Sequence, residues 1–187
     1  MWGNRLGAAA LIAAALGLAA CSAHYQKTET GGIEAALARL DYTKTVLVSI
    51  PADGVYGNQP YPGSGLLVAQ KTASVFSRYA RRVETTTLRQ TERDGLLATA
   101  RKAKAGYVVV PSISHWEQRA TEWSGRPSRV SIGVTIIDAE SGKDIRSTLL
   151  ESQSRSVSFT STNPESLLPR LLGDYVAELY GAKPAAG

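Results

Sequence analysis

The residue whose type and setting specify a covalent reaction is Cys21, the single cysteine among 187 residues. It closes the run Leu18-Ala19-Ala20-Cys21, downstream of Arg5 and of a stretch from Leu6 to Leu18 made almost entirely of Ala, Leu, Ile and Gly. An apolar run of about thirteen residues has the length of an export signal's core and falls short of the ~20 residues a membrane-spanning helix needs. Small side chains ahead of the cut fit a peptidase groove. The thiol that follows can be alkylated by a diacylglycerol, and its freed amine can then be acylated. The expectation is a signal over residues 1–20 and a diacylglycerol or palmitoyl anchor on Cys21, with no other cofactor. Two or three acyl chains on one residue hold a protein on a membrane where one does not. Ser22, standing where Asp would favour the inner membrane, directs the anchor to the outer membrane, with the domain facing the periplasm. The mature chain has no second thiol to pair or mispair there.

The remaining candidates are sparser. Of the two histidines, His24 lies close to the anchor, and His115 stands two residues before Glu117 in an extended stretch, so both point to one face. An acid–base pair is conceivable there, but no nucleophile sits in a recognisable elbow. One His with scattered carboxylates does not supply the three or four ligands of a metal site. The loop 52–65 is rich in Gly and Pro and links a strand to a helix. Its Gly63-Ser64-Gly65 lacks both the third glycine of a dinucleotide loop and the Gly-Lys-Ser/Thr end of a P-loop. Tyr56 and Tyr61 are its candidate contact residues. Trp116, Arg119 and Trp123 form a second candidate contact group near a hairpin tip, since aromatic and Arg side chains dominate binding hot spots. Of the net charge of +5, one unit is Arg5, and no run of like charge exceeds two residues, which argues against nucleic-acid binding.

Residues 21–43 read as a lipidated N-terminus and flexible tether, because Gln26 to Gly32 is polar and turn-rich. Such a tether would reach up to about 70 Å when extended. Residues 44–181 read as one domain and 182–187 as a loose tail. Thr45 to Ile50 is a β-rich apolar run stopped by Pro51. Leu66, Ala69, Ala73, Phe76 and Ala80 recur at helical spacing. Arg82 to Thr87 reads as a strand, and Glu92 to Lys104 as a helix with Leu96, Leu97 and Ala100 inside and Gly106 as its stop. Tyr107 to Ile113 carries a Val-Val-Val core that suits a central strand. Val130, Ile132, Val134 and Ile136 alternate with small polar residues, and Asp144 to Phe159 reads as a long, polar edge strand. Asn163 and Pro164 are placed to cap a last helix with Leu167, Leu168, Leu171, Leu172, Tyr175, Val176 and Leu179 as its stripe. The predicted fold is α/β (α+β): a single mixed sheet in the order β-α-β-α-β-β-β-α, with helices mainly on one face.

Leu-Ala-Ala-Cys after an apolar run resembles the lipobox of bacterial lipoproteins. The strings Val46-Leu47-Val48-Ser49-Ile50-Pro51-Ala52-Asp53-Gly54, Tyr61-Pro62-Gly63-Ser64-Gly65, Tyr107-Val108-Val109-Val110-Pro111, Trp116-Glu117, Glu122-Trp123-Ser124-Gly125 and Asp138-Ala139-Glu140-Ser141-Gly142 resemble a domain-of-unknown-function family of small proteobacterial lipoproteins common in pseudomonads. That resemblance covers nearly the whole mature domain and implies no activity. More coarsely, the element order is similar to the α/β domains of the curli secretion lipoprotein CsgG, the N-terminal domain of TolB and the activator LpoB, which implies an envelope binding or assembly module.

Together these observations lead to a non-enzymatic lipoprotein of the outer membrane whose partners are the membrane, through its anchor, and an envelope protein or a second copy of itself. The alternative is an envelope enzyme, or a small-ligand or glycan sensor, that uses loop 52–65 with His115 and Glu117.

Overall fold

The computed structural model describes residues 24–29, 38–87, 89, 92–118, 127–154 and 163–183. Among these, the strands are β1 (His24–Glu29), β2 (Thr45–Val48), β3 (Val55–Tyr56), β4 (Gln59–Pro60), β5 (Arg82–Thr85), β6 (Tyr107–Glu117), β7 (Arg129–Asp138) and β8 (Asp144–Gln153). The helices are α1 (Ser64–Phe76), α2 (Arg93–Lys102) and α3 (Leu168–Leu179), the last entered through a 3-10 turn at Pro164–Leu167. Six strands form one mixed sheet in the order β1-β8-β7-β6-β2-β5, and β3 and β4 form a separate small hairpin. β2 is parallel to both β5 and β6, while β6, β7, β8 and β1 run antiparallel to one another. The mixed α/β sheet, parallel first and antiparallel later, is the one the sequence predicts.

Alternation along the strands sends side chains to two unequal faces. Val46, Val48, Val109, Ile132, Val134, Ile136 and Leu150 point to the face covered by α1 and α3. There they meet Val68, Phe76, Leu171, Leu172, Tyr175 and Val176 in the main core. Leu47, Val108 and Ile137 point the other way and meet Leu96 and Ala100 of α2. Among the described residues, α2 covers only that end of the second face.

Several elements depart from expectation for identifiable reasons. The inward stripe of α1 is Val68, Ala69, Thr72, Val75 and Phe76. Ala69 and Phe76 fit the predicted phase, whereas Leu66 is 44% exposed. Thr72 is tolerated inside because its hydroxyl donates to the Val68 carbonyl one turn back, at 2.7 Å. The end of α2 comes at a left-handed Lys104 (φ 52°), two residues before Gly106. The Asn163 side chain does not cap a helix; its Oδ1 accepts from Gln118 Nε2 at 3.1 Å. Pro164 opens the 3-10 turn and α3 has its own proline, Pro169, in its first turn. All seven predicted stripe residues of this segment are buried.

The largest departure is β1. Residues 24–29 are not a free tether but pair along six positions with β8, so β8 is an inner strand and β1 is the edge. Leu40, also inside the expected tether, is buried, and its N–H donates to the Leu179 carbonyl at 2.8 Å. The anchor and sorting residues Cys21 and Ser22, the contact candidates Arg119 and Trp123, and the tail 184–187 lie outside the described residues.

Candidate functional site: loop 51–66 and the open sheet face

Three sets of side chains bear on function: a buried ion network, the loop between β2 and α1, and the sheet face left open beside α2.

The ion network starts from Arg146, whose side chain is fully buried in β8. A buried guanidinium requires carboxylate partners with good geometry. Glu29 supplies one, accepting from both Nε (3.0 Å) and Nη2 of Arg146. Glu178 of α3 supplies the other, with Oε1 2.6 Å from Nη2. Lys27 Nζ bonds Glu178 at 2.6 and 2.8 Å and lies 3.3 Å from Glu29. The Thr148 hydroxyl donates to Glu29 Oε2 at 2.6 Å, and the Tyr175 hydroxyl lies 3.2 Å from it. Burial pushes the Glu29 carboxyl up, but the hydrogen bonds of Arg146 and Thr148 outweigh it and hold the group below the usual carboxylate range. Glu178 behaves alike: burial raises it, and Lys27 and Arg146 bring it below the usual range. Tyr25, on the same face of β1, is pushed up to about 12, first by burial and then by the nearby carboxylates of Asp174, Glu178 and Glu29. Glu29 and Glu178 are both engaged by cations, so the network fastens β1 to β8 and α3.

The loop is built from short polar side chains that satisfy its own backbone. Asp53 Oδ1 accepts the Gly65 N–H at the start of α1 (2.8 Å), and its Oδ2 pairs with Arg89 at 2.5 Å. Burial raises the Asp53 carboxyl, but these bonds and one from the Gly63 N–H hold it below its ordinary value. The Ser64 hydroxyl accepts from Gly54 N–H at 2.8 Å and donates to the Tyr61 carbonyl at 2.7 Å. Two glycines make this closeness possible. A Cβ on Gly54 would meet Trp116 Cβ at 2.7 Å, and one on Gly65 would collide with the Pro51 carbonyl. With the Asp53–Gly65 and Gly54–Ser64 bonds closing its base, the β3–β4 hairpin is projected outward, turning at Gly57 (φ 57°).

The loop presents Val55 and Tyr56 beside the exposed polar residues Asn58 and Gln59. Among the described residues the exposed large hydrophobic side chains are Tyr42 (69%), Val55 (57%), Leu66 (44%) and Tyr56 (38%). Three of those four follow Gly54 and Gly65, on the two sides of the Gly54–Ser64 junction. Tyr56, an expected contact residue, stands at the surface, edge-on to the His115 ring at 5.1 Å. Tyr61 is partly buried and packs against the main core, so it holds the loop rather than presenting it. Trp116 also departs from expectation: at 5% exposure, beneath Gly54, it is a packing residue and not a surface anchor. A register shift between Ile113 and His115 explains this inward turn, since it brings Trp116 opposite Val130 on the core-facing side. Sequence reasoning misses Leu66 because a regular apolar stripe absorbs it; the signal is its offset from Val68, Thr72 and Val75.

The open face carries a shallow groove of about 560 Å³ lined by Gln26, Ser114, His115, Arg129, Ser131 and Glu151, among others. His115 Nε2 lies 3.2 Å from Glu117 Oε2, and Glu117 is 3% exposed. The pair therefore shares a face, as its spacing predicts. Ser131, the hydroxyl opposite His115 in the ladder, donates instead to Glu151 Oε1 at 3.4 Å. Among the described residues no group of three or more His, Cys, Asp or Glu side chains is placed to hold a metal ion. No described helix is long and apolar enough to cross a membrane.

Comparison with solved structures identifies the fold. The PelC dodecamer from Paraburkholderia phytofirmans is similar with a TM-score of 0.64 and 17% identity, over 86% of this chain and 99% of that one. A point variant of the same dodecamer gives 0.62 and 15%, over 87% and 100%. The LpoB C-terminal domain from Salmonella enterica matches at a TM-score of 0.33 and 13% identity, over 62% and 85%, too distant to carry an argument. No curated protein matches the chain. A family model does match, over residues 38–179, from Leu40 on the core to the end of α3, and this chain belongs to that family, the domain of unknown function DUF4823.

Proposed function

We propose that this chain is a non-enzymatic assembly module of the cell envelope, anchored through an acylated Cys21 to the outer membrane. Its rigid loop 51–66 would take a second copy of the same chain. The observation that carries the reading is the exposure of Val55 and Tyr56 in the loop and of Leu66 in the first turn of α1, on a segment whose backbone is fixed by Asp53, Ser64 and two close-packed glycines. Preorganised apolar side chains lose little conformational freedom on binding, which is what a contact surface needs. A second copy is the favoured occupant because the solved structure sharing this fold along nearly its whole length is itself a dodecamer. Arg146 is committed to Glu29 and Glu178, and Ser131 is directed to Glu151 rather than to His115, which supports binding over catalysis.

The test is site-specific photocrosslinking in cells, with the crosslinker at Val55 and, as control, at the exposed Lys143 on the β7–β8 turn. Ladders of the chain's own multiples from position 55 and none from 143 are expected. Adducts only with a different protein would replace the self-association reading by a heteromeric one. No protein adduct at all would remove the contact surface.

A second reading rests on the groove of about 560 Å³ beside His115. Its hydroxyl, amide, imidazole and carboxylate lining suits a small polar ligand or a glycan. On that reading, Glu151→Ala would weaken binding of soluble cell-wall glycan fragments without changing assembly.

A further inference from the structure

The pairing of β1 changes the reach of the anchor. Between Cys21 and His24, the first residue of β1, stand only Ser22 and Ala23. Three peptide steps span at most about 11 Å. Nor can β1 lengthen the connector cheaply by peeling away. Lys27 and Glu29 would leave Glu178 and the fully buried Arg146, which would keep one of its two carboxylate partners.

We propose that the end of the sheet at which β1 begins rests on the lipid surface at the level of the headgroups. The inference rests on acylation of Cys21. By register that end comprises His24, Gln153 of β8, Arg129 of β7 and Glu117 of β6. Its described exposed side chains, Gln118, Arg129 and Asn163, are polar or cationic, suited to phosphate and glycerol oxygens rather than acyl chains. The opposite end, with the β7–β8 turn at Glu140 and Ser141, then stands about 30 Å away, the length of the ten-residue β8. Tyr56 lies beside His115, close to the membrane end, so copies held in this pose present Tyr56 and the adjoining Val55 at the same height and meet side by side.

The experiment uses full-length acylated protein in vesicles of phosphatidylethanolamine and phosphatidylglycerol. The acylated Cys21 leaves an introduced cysteine as the single reactive thiol. A fluorophore is placed in Gln118→Cys or in Glu140→Cys, both exposed positions, and quenched by lipids bearing a headgroup nitroxide. Quenching is expected to be several-fold stronger at 118 than at 140. An insert of about 20 Gly/Ser residues before His24, with an r.m.s. reach of roughly 25 Å, is expected to remove most of the difference. Equal quenching at both positions, in protein shown by mass spectrometry to be acylated at Cys21, overturns the proposed pose and leaves the lipid-anchor reading standing. Membrane-bound protein with an unmodified Cys21 overturns both.

Discussion

The ion network around Arg146 and the loop 51–66 are both knit together by polar side chains, and they do opposite things with that packing. In the network, Arg146, Lys27, Glu29 and Glu178 are held by one another through Nε and Nη2 of Arg146, while its Nη1 is buried without a hydrogen-bond partner. In the loop, Asp53 and Ser64 satisfy the backbone, which frees Val55, Tyr56 and Leu66 to face outward. Clustered charge in this fold is therefore a fastening, and the surface the loop offers for contact carries exposed apolar side chains. The comparison also separates two kinds of sensitivity. Damage to the network should cost stability, whereas damage to the loop surface should cost assembly alone.

The largest effect is expected from Arg146→Ala, which strands Glu29 and part of Glu178 without their buried cation. A loss of about 3–5 kcal/mol is expected, read as the denaturant midpoint, with slope changes reporting release of β1. Next, Gly65→Ala forces a methyl against the Pro51 carbonyl. It should lower stability by about 1–3 kcal/mol and, by shifting the loop, weaken assembly as well. A variant of this kind that assembles normally would show that the loop need not be rigid.

A third, smaller effect is pH dependence. Glu29 and Glu178 have folded values below their ordinary 4.5, so the folded state favours their charged forms. Their contribution is complete above that ordinary value and is lost as pH falls through the depressed folded values. Stability should therefore drop on acidification below about pH 4.5, and Glu29→Gln should make that drop shallower while lowering stability at neutral pH. The smallest effect on stability is expected from Val55→Ser combined with Leu66→Asp. Both sites are exposed, and an acidic residue in the first turn of α1 suits the helix dipole. A change within about 0.5 kcal/mol is expected, despite loss of assembly.

The parts of the fold that repeat a local pattern are legible in the sequence. The stripe of the last 3-10 turn and α3 can be read because seven apolar side chains recur at helical spacing, and β7 because four alternate with Ser131, Gly133 and Thr135. Val108-Val109-Val110 marks an inner strand, and Pro111 fits there too. The Ser49 N–H donates to the Val109 carbonyl, so Pro111, two residues on, turns its missing N–H to the same side, past the end of β2. What cannot be read depends on distant partners. His24-Tyr-Gln-Lys-Thr-Glu29 is polar by composition, and only the β8 edge, more than 110 residues later, makes it a strand. Arg146 looks like a surface residue until Glu29 and Glu178 are brought to it. In the loop, composition is enough to find Tyr56, but Trp116 and Tyr61 are not separable from surface aromatics without the register shift in β6 and the junction beneath Gly54. Leu66 is hidden by a helical phase that is nearly right.

The central claim is that the outward apolar side chains of loop 51–66 join copies of this chain. Sedimentation velocity of the mature domain, as wild type and as Val55→Ser with Leu66→Asp, tests it most directly. A multimeric wild type and a monomeric variant that unfolds at the same denaturant midpoint are expected. A wild type that stays monomeric at every concentration tried, or a variant with the wild-type multimer distribution, would contradict it.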